Sequence, residues 1–224
     1  MVSAFFRSAP TGLDHIVTQA VGMLGDARHS FDQATSALLL GTDPAMVESD
    51  ILDTDRRINT TEQELRSELV VHVTVSGTVD IGSVLGLTLL LKKIERIGDQ
   101  AKNVLDLATA GATLTGETDI AELRDQRDHV SRLFVEAGEL LSEPNEDGMN
   151  DYARRVLKMT GDLDDKIAVL LKSEEPGFKV VPRAIYFRYL KRILANLLGV
   201  VSTSNEPLPN IDYLDDGTTD VTDD

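Results

Sequence analysis

The chain has 224 residues, of which 42% are hydrophobic and only 4% aromatic, and it contains neither cysteine nor tryptophan. This length allows one large domain or two smaller ones with real cores, while the lack of cysteine excludes disulfides, thiolate metal sites and thiol nucleophiles. Twenty-two basic and 38 acidic residues give a net charge of −16, which disfavours non-specific nucleic-acid binding and favours cations or basic protein surfaces as partners.

Three amphipathic segments predict a first helical bundle. Apolar residues recur in steps of three and four from Val17 to Leu38, and the sequence Gly41 to Pro44 ends this helix and caps the next. A third helix is expected to begin near Thr78 or Asp80. Because the connections are short, neighbouring helices should be antiparallel, and a three-helix bundle is predicted for residues 8–112.

The same plan is expected to repeat after a small-residue linker, Gly111 to Gly116. Three further amphipathic segments predict helices at about 119–142, 149–173 and 182–201. Two anchor pairs support an internal repeat, because DRRI resembles DDKI and IERIGDQAKNV resembles LKRILANLLGV. A second three-helix bundle is therefore predicted for residues 117–204.

The sequence predicts no membrane insertion. The first residues, MVSAFFRSAPTG, lack the charged start and apolar core of a signal peptide. The run from Val73 to Leu91 is long enough to span a bilayer, but Asp80 lies near its middle, where a charge costs about 2.5–3.5 kcal/mol. A buried helix fits this run better. Residues 205–224, rich in acids, predict a flexible tail, and the protein is expected in the cytoplasm.

The segment LKKIERIGDQAKNVLD, residues 91–106, carries Glu95 and Asp99 four residues apart, a spacing that places both carboxylates on one helix face. Helix phase puts them almost opposite the apolar stripe, on the outer face of the bundle, with Lys92 and Lys102 as neighbours. From spacing alone, a solvated polar face is an alternative to a binding site.

The short sequences ERIGD and AKN in this segment resemble the signature of the PhoU family of phosphate-uptake accessory proteins. DRRINTTE, residues 55–62, is similar to the family's second-helix pattern, and Gly98 and Asn103 fit the signature's glycine and asparagine. The resemblance covers roughly residues 10–203 and is specific around 55–62 and 80–104. It implies an all-α fold of two tandem antiparallel three-helix bundles with six long helices.

The resemblance also implies a metal site on the first bundle, because some family members carry metal clusters on this acidic face. The matching positions are Glu95, Asp99, Asp55, Asn59, Asp80 and Glu62. Carboxylate and amide oxygens without Cys or His are hard ligands, which suit Mg, Ca, Mn or iron better than copper or structural zinc. No organic cofactor is predicted.

The second copy departs from the family pattern. Lys191 and Ala195 stand where the signature has its Glu and Asp, so no family-type metal site is predicted there. If the second bundle keeps the family's helix packing, Lys191 lies beside Asp164, where its ammonium would replace a cation; the alternative is that Lys191 points to solvent together with Arg188 and Arg192. The basic residues Arg183, Arg188, Lys191 and Arg192 predict either a solvated face or a docking surface for an acidic partner.

The sequence offers little enzymatic chemistry. It has no phosphate-binding glycine loop, no dinucleotide fingerprint and no His-Glu-x-x-His, and its four histidines are scattered, with His72 expected at the core edge. The resemblance implies a non-enzymatic regulator or adaptor that docks on the phosphate ABC transporter and a phosphate-sensing histidine kinase, and contacts the membrane only through them. A homodimer is compatible with the sequence. The alternatives are a metal-binding ion store or sensor, and a structural helical adaptor without a phosphate role.

Overall fold

The structure, a computed structural model, describes residues 13–203, and in this range it consists of six helices and no strand. The helices are α1 (Asp14–Leu40), α2 (Pro44–Ser76), α3 (Ile81–Thr109), α4 (Ile120–Ser142), α5 (Glu146–Leu171) and α6 (Gly177–Thr203). The prediction of an all-α fold with six long helices is confirmed. The predicted acidic tail, residues 205–224, lies outside the described residues.

The break between α1 and α2 follows the predicted chemistry. Gly41 ends α1 in the left-handed conformation, with φ at 79°, which only glycine adopts at no steric cost. Asp43 then caps α2, because its side chain accepts a hydrogen bond of 3.0 Å from the Ala45 N–H. Pro44 occupies the first helical position, where its missing N–H needs no partner.

Two helices of the second half begin earlier than predicted. α5 starts at Glu146 rather than near 149, because the Asn145 side chain caps it by accepting a hydrogen bond of 2.7 Å from the Gly148 N–H. α6 starts at Gly177 rather than 182, because the Lys179 N–H donates to the Pro176 carbonyl at 2.9 Å and extends the helix upstream. Pro182 therefore lies inside α6, where it removes one backbone hydrogen bond near the helix start.

The helices form a first bundle, α1 to α3, and a second bundle, α4 to α6, which meet along two helix pairs. α1 packs against α4 and α3 packs against α6, and the buried side chains of both bundles form one continuous apolar core. Phe31 of α1 stacks on Phe134 of α4 across this interface, with ring centroids 5.6 Å apart. The two helix pairs therefore fix one bundle against the other.

A polar network sets the register of α1 against α4. The Arg127 Nε donates to the Thr35 hydroxyl at 3.1 Å, and the Ser131 hydroxyl donates to Asp32 Oδ2 at 3.1 Å. The Arg28 Nε donates to the same Ser131 hydroxyl at 3.0 Å. Such a network stabilises one register of the two helices, because a shift by one turn would leave its partly buried charges unpaired.

Within residues 13–203, no helix is both long enough and apolar enough to cross a membrane. The run from Val73 to Leu91 is divided between the end of α2 and the start of α3. Val75 and Val79 are exposed, and the residues expected in a buried helix are found only in the second part, at Val84, Leu87, Leu90 and Leu91.

Candidate functional site: an acidic face on the first bundle

The signature glycine lets α2 lie close against α3. A Cβ added to Gly98 would stand only 3.2 Å from Ile58 Cδ1, which is tighter than ordinary van der Waals contact. Ile58 is buried against α3 at this point. The contact sets the register of the two helices, and the polar positions of both signature segments consequently meet along one side of the bundle.

The structure gathers three of the predicted site residues around one lysine. Asp55 of α2 accepts hydrogen bonds from Lys102 Nζ at 3.1 Å and from Asn59 Nδ2 at 3.3 Å. The same Lys102 ammonium lies 3.9 Å from Asp99 Oδ1. The structure therefore brings Asp55, Asn59 and Asp99 together, with the ammonium of Lys102 among their oxygens.

Glu95 differs from its predicted position on the outer face. Its side chain is only 13% exposed. Lys92 Nζ lies 2.6 Å from Glu95 Oε2, yet that buried oxygen accepts no well-aligned hydrogen bond. Oε2 of Glu95 thus has electrostatic compensation from Lys92 without an aligned hydrogen bond.

Glu62 is the most buried acid of the group. Its side chain is 8% exposed, and Arg66, one turn further along α2, lies 3.3 Å from its Oε1. The contact between Ile58 and Gly98 fixes antiparallel register, so Glu62, one turn beyond Ile58, stands about level with Glu95. We call the set Asp55, Asn59, Glu62, Glu95 and Asp99 the acidic face.

Asp80 is not part of this face. It stands fifteen residues before Glu95, a separation of roughly 22 Å along a helix that rises 1.5 Å per residue. Its Oδ2 lies 3.1 Å from His72 Nε2, at the end of the bundle where α2 passes into α3. The His72 side chain is 14% exposed, which confirms its predicted place at the core edge.

The donor set of the acidic face suits a hard cation, but its side chains are not gathered for one. In the described range, no three carboxylate or histidine side chains converge closely enough to hold a metal ion. Lys102 occupies the space between Asp55 and Asp99 that a shared cation would use. Binding a metal here would require that ammonium to move away, and the metal site stays a prediction.

The charge of Asp99 is disfavoured in this setting. Burial raises the pKa of its carboxyl above the ordinary value of 3.8, the neighbouring Glu95 raises it further, and Asp55 adds to this, while Lys102 and Lys92 oppose the shift. Added positive charge would stabilise the ionised form of this crowded carboxylate, whether it came from a cation or from a basic side chain of a partner.

We expect Asp99→Asn to change how stability depends on pH. A carboxyl whose folded-state pKa is raised favours the folded state at low pH, and this contribution is lost as the pH rises from about 4 through the folded-state pKa. The variant should lack that loss, so its free energy of unfolding should rise relative to that of the natural chain between pH 4 and neutrality. Urea titrations across this range, without divalent cations, measure it. The prediction would be contradicted if the difference in free energy of unfolding between the variant and the natural chain did not change with pH.

In the second bundle a lysine stands where the family has an acid. Lys191 Nζ lies 2.7 Å and 2.6 Å from the two carboxylate oxygens of Asp164, which confirms the predicted pairing of these residues. The rest of the predicted basic stripe is divided. Arg183 donates a hydrogen bond of 3.2 Å to Glu117 and also pairs with Asp119, and both acids lie in the linker between α3 and α4. Arg188 and Arg192 are exposed.

The comparison with known families agrees with this geometry. A family model of the PhoU domain matches residues 21–108, a range that contains the entire acidic face and Lys102. Residues 21–108 of this chain are similar to a PhoU domain. The resemblance seen in the sequence is confirmed, and the PhoU match covers the first bundle, where the signature is intact, rather than the second.

Solved PhoU structures extend the likeness in fold to both bundles. The chain is similar to PhoU from Pseudomonas aeruginosa, with a TM-score of 0.65 and 17% identity over 90% of this chain and 96% of that one. It is also similar to the phosphate transport system regulatory protein PhoU from Streptococcus pneumoniae, with a TM-score of 0.68 and 16% identity over 91% and 95% of the two chains. At such identities the likeness establishes the fold alone. No curated protein matches the sequence.

Proposed function

We propose that this protein is a non-enzymatic regulator of phosphate uptake and phosphate signalling that acts by docking on other proteins. The observation that carries the proposal is the PhoU domain match, because residues 21–108 contain every member of the acidic face. The shared fold with a phosphate transport system regulatory protein supports it. The proposed partners are the ATPase of a phosphate ABC transporter and a phosphate-sensing histidine kinase.

The acidic face has the electrostatic character of a docking surface for a basic partner. Three of its carboxylates, those of Asp55, Glu95 and Asp99, are compensated by the chain's own Lys92 and Lys102. The side chains of these two lysines are 38% and 32% exposed. A partner's arginine or lysine can replace these flexible lysines without burying a new unpaired charge. Exchange of this kind gives specificity and a salt-dependent association rate more than raw affinity.

A capture experiment tests the docking role. The purified protein is immobilised and exposed to the transporter ATPase, purified from phosphate-replete cells of the same organism, at low and moderate salt. We expect Glu95→Gln with Asp99→Asn to weaken capture by about tenfold, because two charges of the face are removed while both side chains keep their shape. The matched control is Asp162→Asn with Asp165→Asn, which removes two exposed charges from α5 in the second bundle.

The control variant should capture the ATPase as well as the natural chain does. Equal loss in both variants would mean that net charge, rather than this face, drives association. Undiminished capture by the Glu95 and Asp99 variant would overturn the assignment of the face as the docking surface.

A cation store or sensor is the second candidate function. It is favoured by the crowded carboxyl of Asp99 and by the Glu95 oxygen that is buried without an aligned hydrogen bond. Elemental analysis of protein purified without added metal separates this function from docking, because a docking surface needs no bound ion.

A further inference from the structure

The helix ends around the turn between α2 and α3 carry little charge. From Leu69 to Leu91 the only ionisable residues are His72 and Asp80, and they pair with each other at 3.1 Å. Four large apolar side chains in this stretch are nevertheless 37–66% exposed. We call these four residues the apolar patch, and they are Val70 of α2 and Ile81, Leu85 and Leu89 of α3.

The hydroxyl groups beside the apolar patch are satisfied by their own helices. The Thr74 hydroxyl donates to the Val70 carbonyl at 2.8 Å, and the Thr88 hydroxyl donates to the Val84 carbonyl at 2.8 Å. A molecule that covers the patch is therefore held there by burial of apolar surface rather than by hydrogen bonds to these hydroxyls. Exposed apolar patches rimmed by polar residues are typical of interaction sites.

Along α3 the apolar patch continues directly into the acidic face. Steps of three and four residues lead from Asp99 through Glu95 and Lys92 to the three patch residues of this helix, Leu89, Leu85 and Ile81. Residues at these steps lie on one side of a helix. The exposed side of α3 is consequently apolar where the helix begins and acidic farther along.

The neighbouring side of α2 has the same order. Glu62, Arg66 and Val70 follow one another at intervals of four, one turn apart. The contact between Ile58 and Gly98 fixes the antiparallel register, so Val70, twelve residues beyond Ile58, stands about level with Leu85, thirteen residues before Gly98. The acidic face and the apolar patch thus form one continuous surface on the α2–α3 pair.

The two zones lie at a distance that one helix of a partner can span. Leu85 and Glu95 are ten residues apart in α3, which corresponds to about 15 Å along the helix. A helix laid along this surface has the same rise per residue. Two apolar residues one turn apart cover Leu85 and Leu89, and basic residues about ten positions away then reach the carboxylates of Glu95 and Asp99.

Other occupants match only one of the two zones. A second copy seated on the patch about a two-fold axis supplies apolar surface, but beside its own patch it carries the same acidic face, with no surplus of basic residues. A bilayer with anionic headgroups is repelled by the carboxylates next to the patch. An amphipathic helix with basic residues at one end matches both zones.

We propose that the acidic face and the apolar patch form one docking surface, and that it takes an amphipathic helix of a partner protein. This helix carries two apolar residues one turn apart and a group of basic residues about ten positions from them. The inference rests on the docking role proposed above, and it adds the apolar half of the surface and the kind of segment that binds there.

Binding of the purified transporter ATPase to the full chain tests the apolar half. We expect Leu85→Gln with Leu89→Gln to weaken binding about tenfold at both low and moderate salt, because burial of apolar surface is not screened by ions. Glu95→Gln with Asp99→Asn should weaken it more at low salt than at moderate salt. The matched control, Leu171→Gln with Phe178→Gln, removes two exposed apolar side chains beside the turn between α5 and α6 and should bind as the natural chain does. Thermal unfolding checks that all variants are folded.

Photo-crosslinking identifies the bound segment without depending on the stability of these variants. Benzoylphenylalanine is placed at Leu85, and at Leu171 as a control, and the crosslinked peptide of the ATPase is identified by mass spectrometry. The crosslink from Leu85 should fall in a helical segment with basic residues about ten positions away. Leu171 should give no crosslink to that segment.

The outcomes separate this inference from the docking role itself. If the acidic-face variant loses binding and the leucine variant does not, the apolar patch has no part in docking and this inference is overturned, while the docking role stands. If neither variant loses binding, the docking role is overturned as well. A crosslink from Leu85 to a second copy of this chain, or to a segment without basic residues at that spacing, would contradict the proposed occupant. So would sedimentation with phosphatidylglycerol vesicles that is lost in the leucine variant.

Discussion

Replacing Phe31 by alanine should destabilise the protein by about 3–5 kcal/mol, the usual cost of removing a large buried aromatic side chain. Phe31 is fully buried in α1, and its ring stacks on Phe134 of α4 at a centroid distance of 5.6 Å and an interplanar angle of 28°. The loss of stability has two parts, the free energy of burying the apolar ring and the cost of the cavity left between two packed helices. The stacking adds about 0.5–1.5 kcal/mol beyond burial.

Urea unfolding followed by circular dichroism measures this loss, and Phe178→Ala serves as the control. Phe178 is 78% exposed near the start of α6, so its removal should change stability by no more than about 0.5 kcal/mol. A double-mutant cycle with Phe134→Ala isolates the contribution of the pair. A loss below about 1 kcal/mol for Phe31→Ala would show that α1 and α4 repack around the cavity.

The same substitution reports on how the two bundles depend on each other. Phe31 and Phe134 belong to different bundles but to one continuous core. If the bundles unfold as one unit, the variant keeps a single transition at lower urea. A second transition would show that one bundle retains its structure after the other has unfolded.

The fold could be predicted from the sequence because its signals are local. The steps of three and four from Val17 to Leu38 describe one side of one helix, and the stop at Gly41 to Pro44 depends only on backbone chemistry. Where the local signal was weaker, the prediction was less accurate. Asn145 is a standard helix cap, but no apolar residue directly follows it, so the apolar pattern predicts a start for α5 three residues after the observed one.

The candidate site could be predicted only in part, because it depends on how two helices lie together. Helix phase correctly places Glu95 and Asp99 on one side of α3, but it says nothing of how closely α2 covers that side. Gly98 allows the close approach of the two helices, and Glu95 is largely buried rather than exposed on the outer face. Asp80 matches the family pattern, but the helical rise alone separates it from Glu95 by roughly 22 Å.

The sequence does not predict that Lys102 lies between two carboxylates. Its spacing of three from Asp99 indicated a neighbour on the same face. The contact with Asp55 was not accessible in this way, because it joins residues 47 positions apart in different helices. A long, flexible side chain reaches whichever carboxylate the packing brings near, and only the structure shows that Lys102 is shared between two of them.

Lys102→Gln should therefore increase the affinity of the first bundle for a divalent cation, whereas Glu95→Gln with Asp99→Asn should abolish binding. Lys102 holds a positive charge 3.1 Å from Asp55 and 3.9 Å from Asp99, so it competes directly with any ion that these carboxylates could share. Removing it leaves two anions facing each other, which a cation would stabilise. In the second bundle, Lys191 on Asp164 should prevent binding for the same reason.

Thermal unfolding with and without Mg²⁺ or Mn²⁺ measures these effects, since a ligand at 100 times its dissociation constant stabilises the folded state by about 2.7 kcal/mol. The cation-induced rise in Tm should be larger for Lys102→Gln than for the natural chain and absent for the double variant. Asp164→Asn, which alters only the second bundle, should behave as the natural chain does. A Lys102→Gln variant that gains no cation response would show that Lys102 is a structural partner of Asp55. The acidic face would then serve docking rather than metal binding.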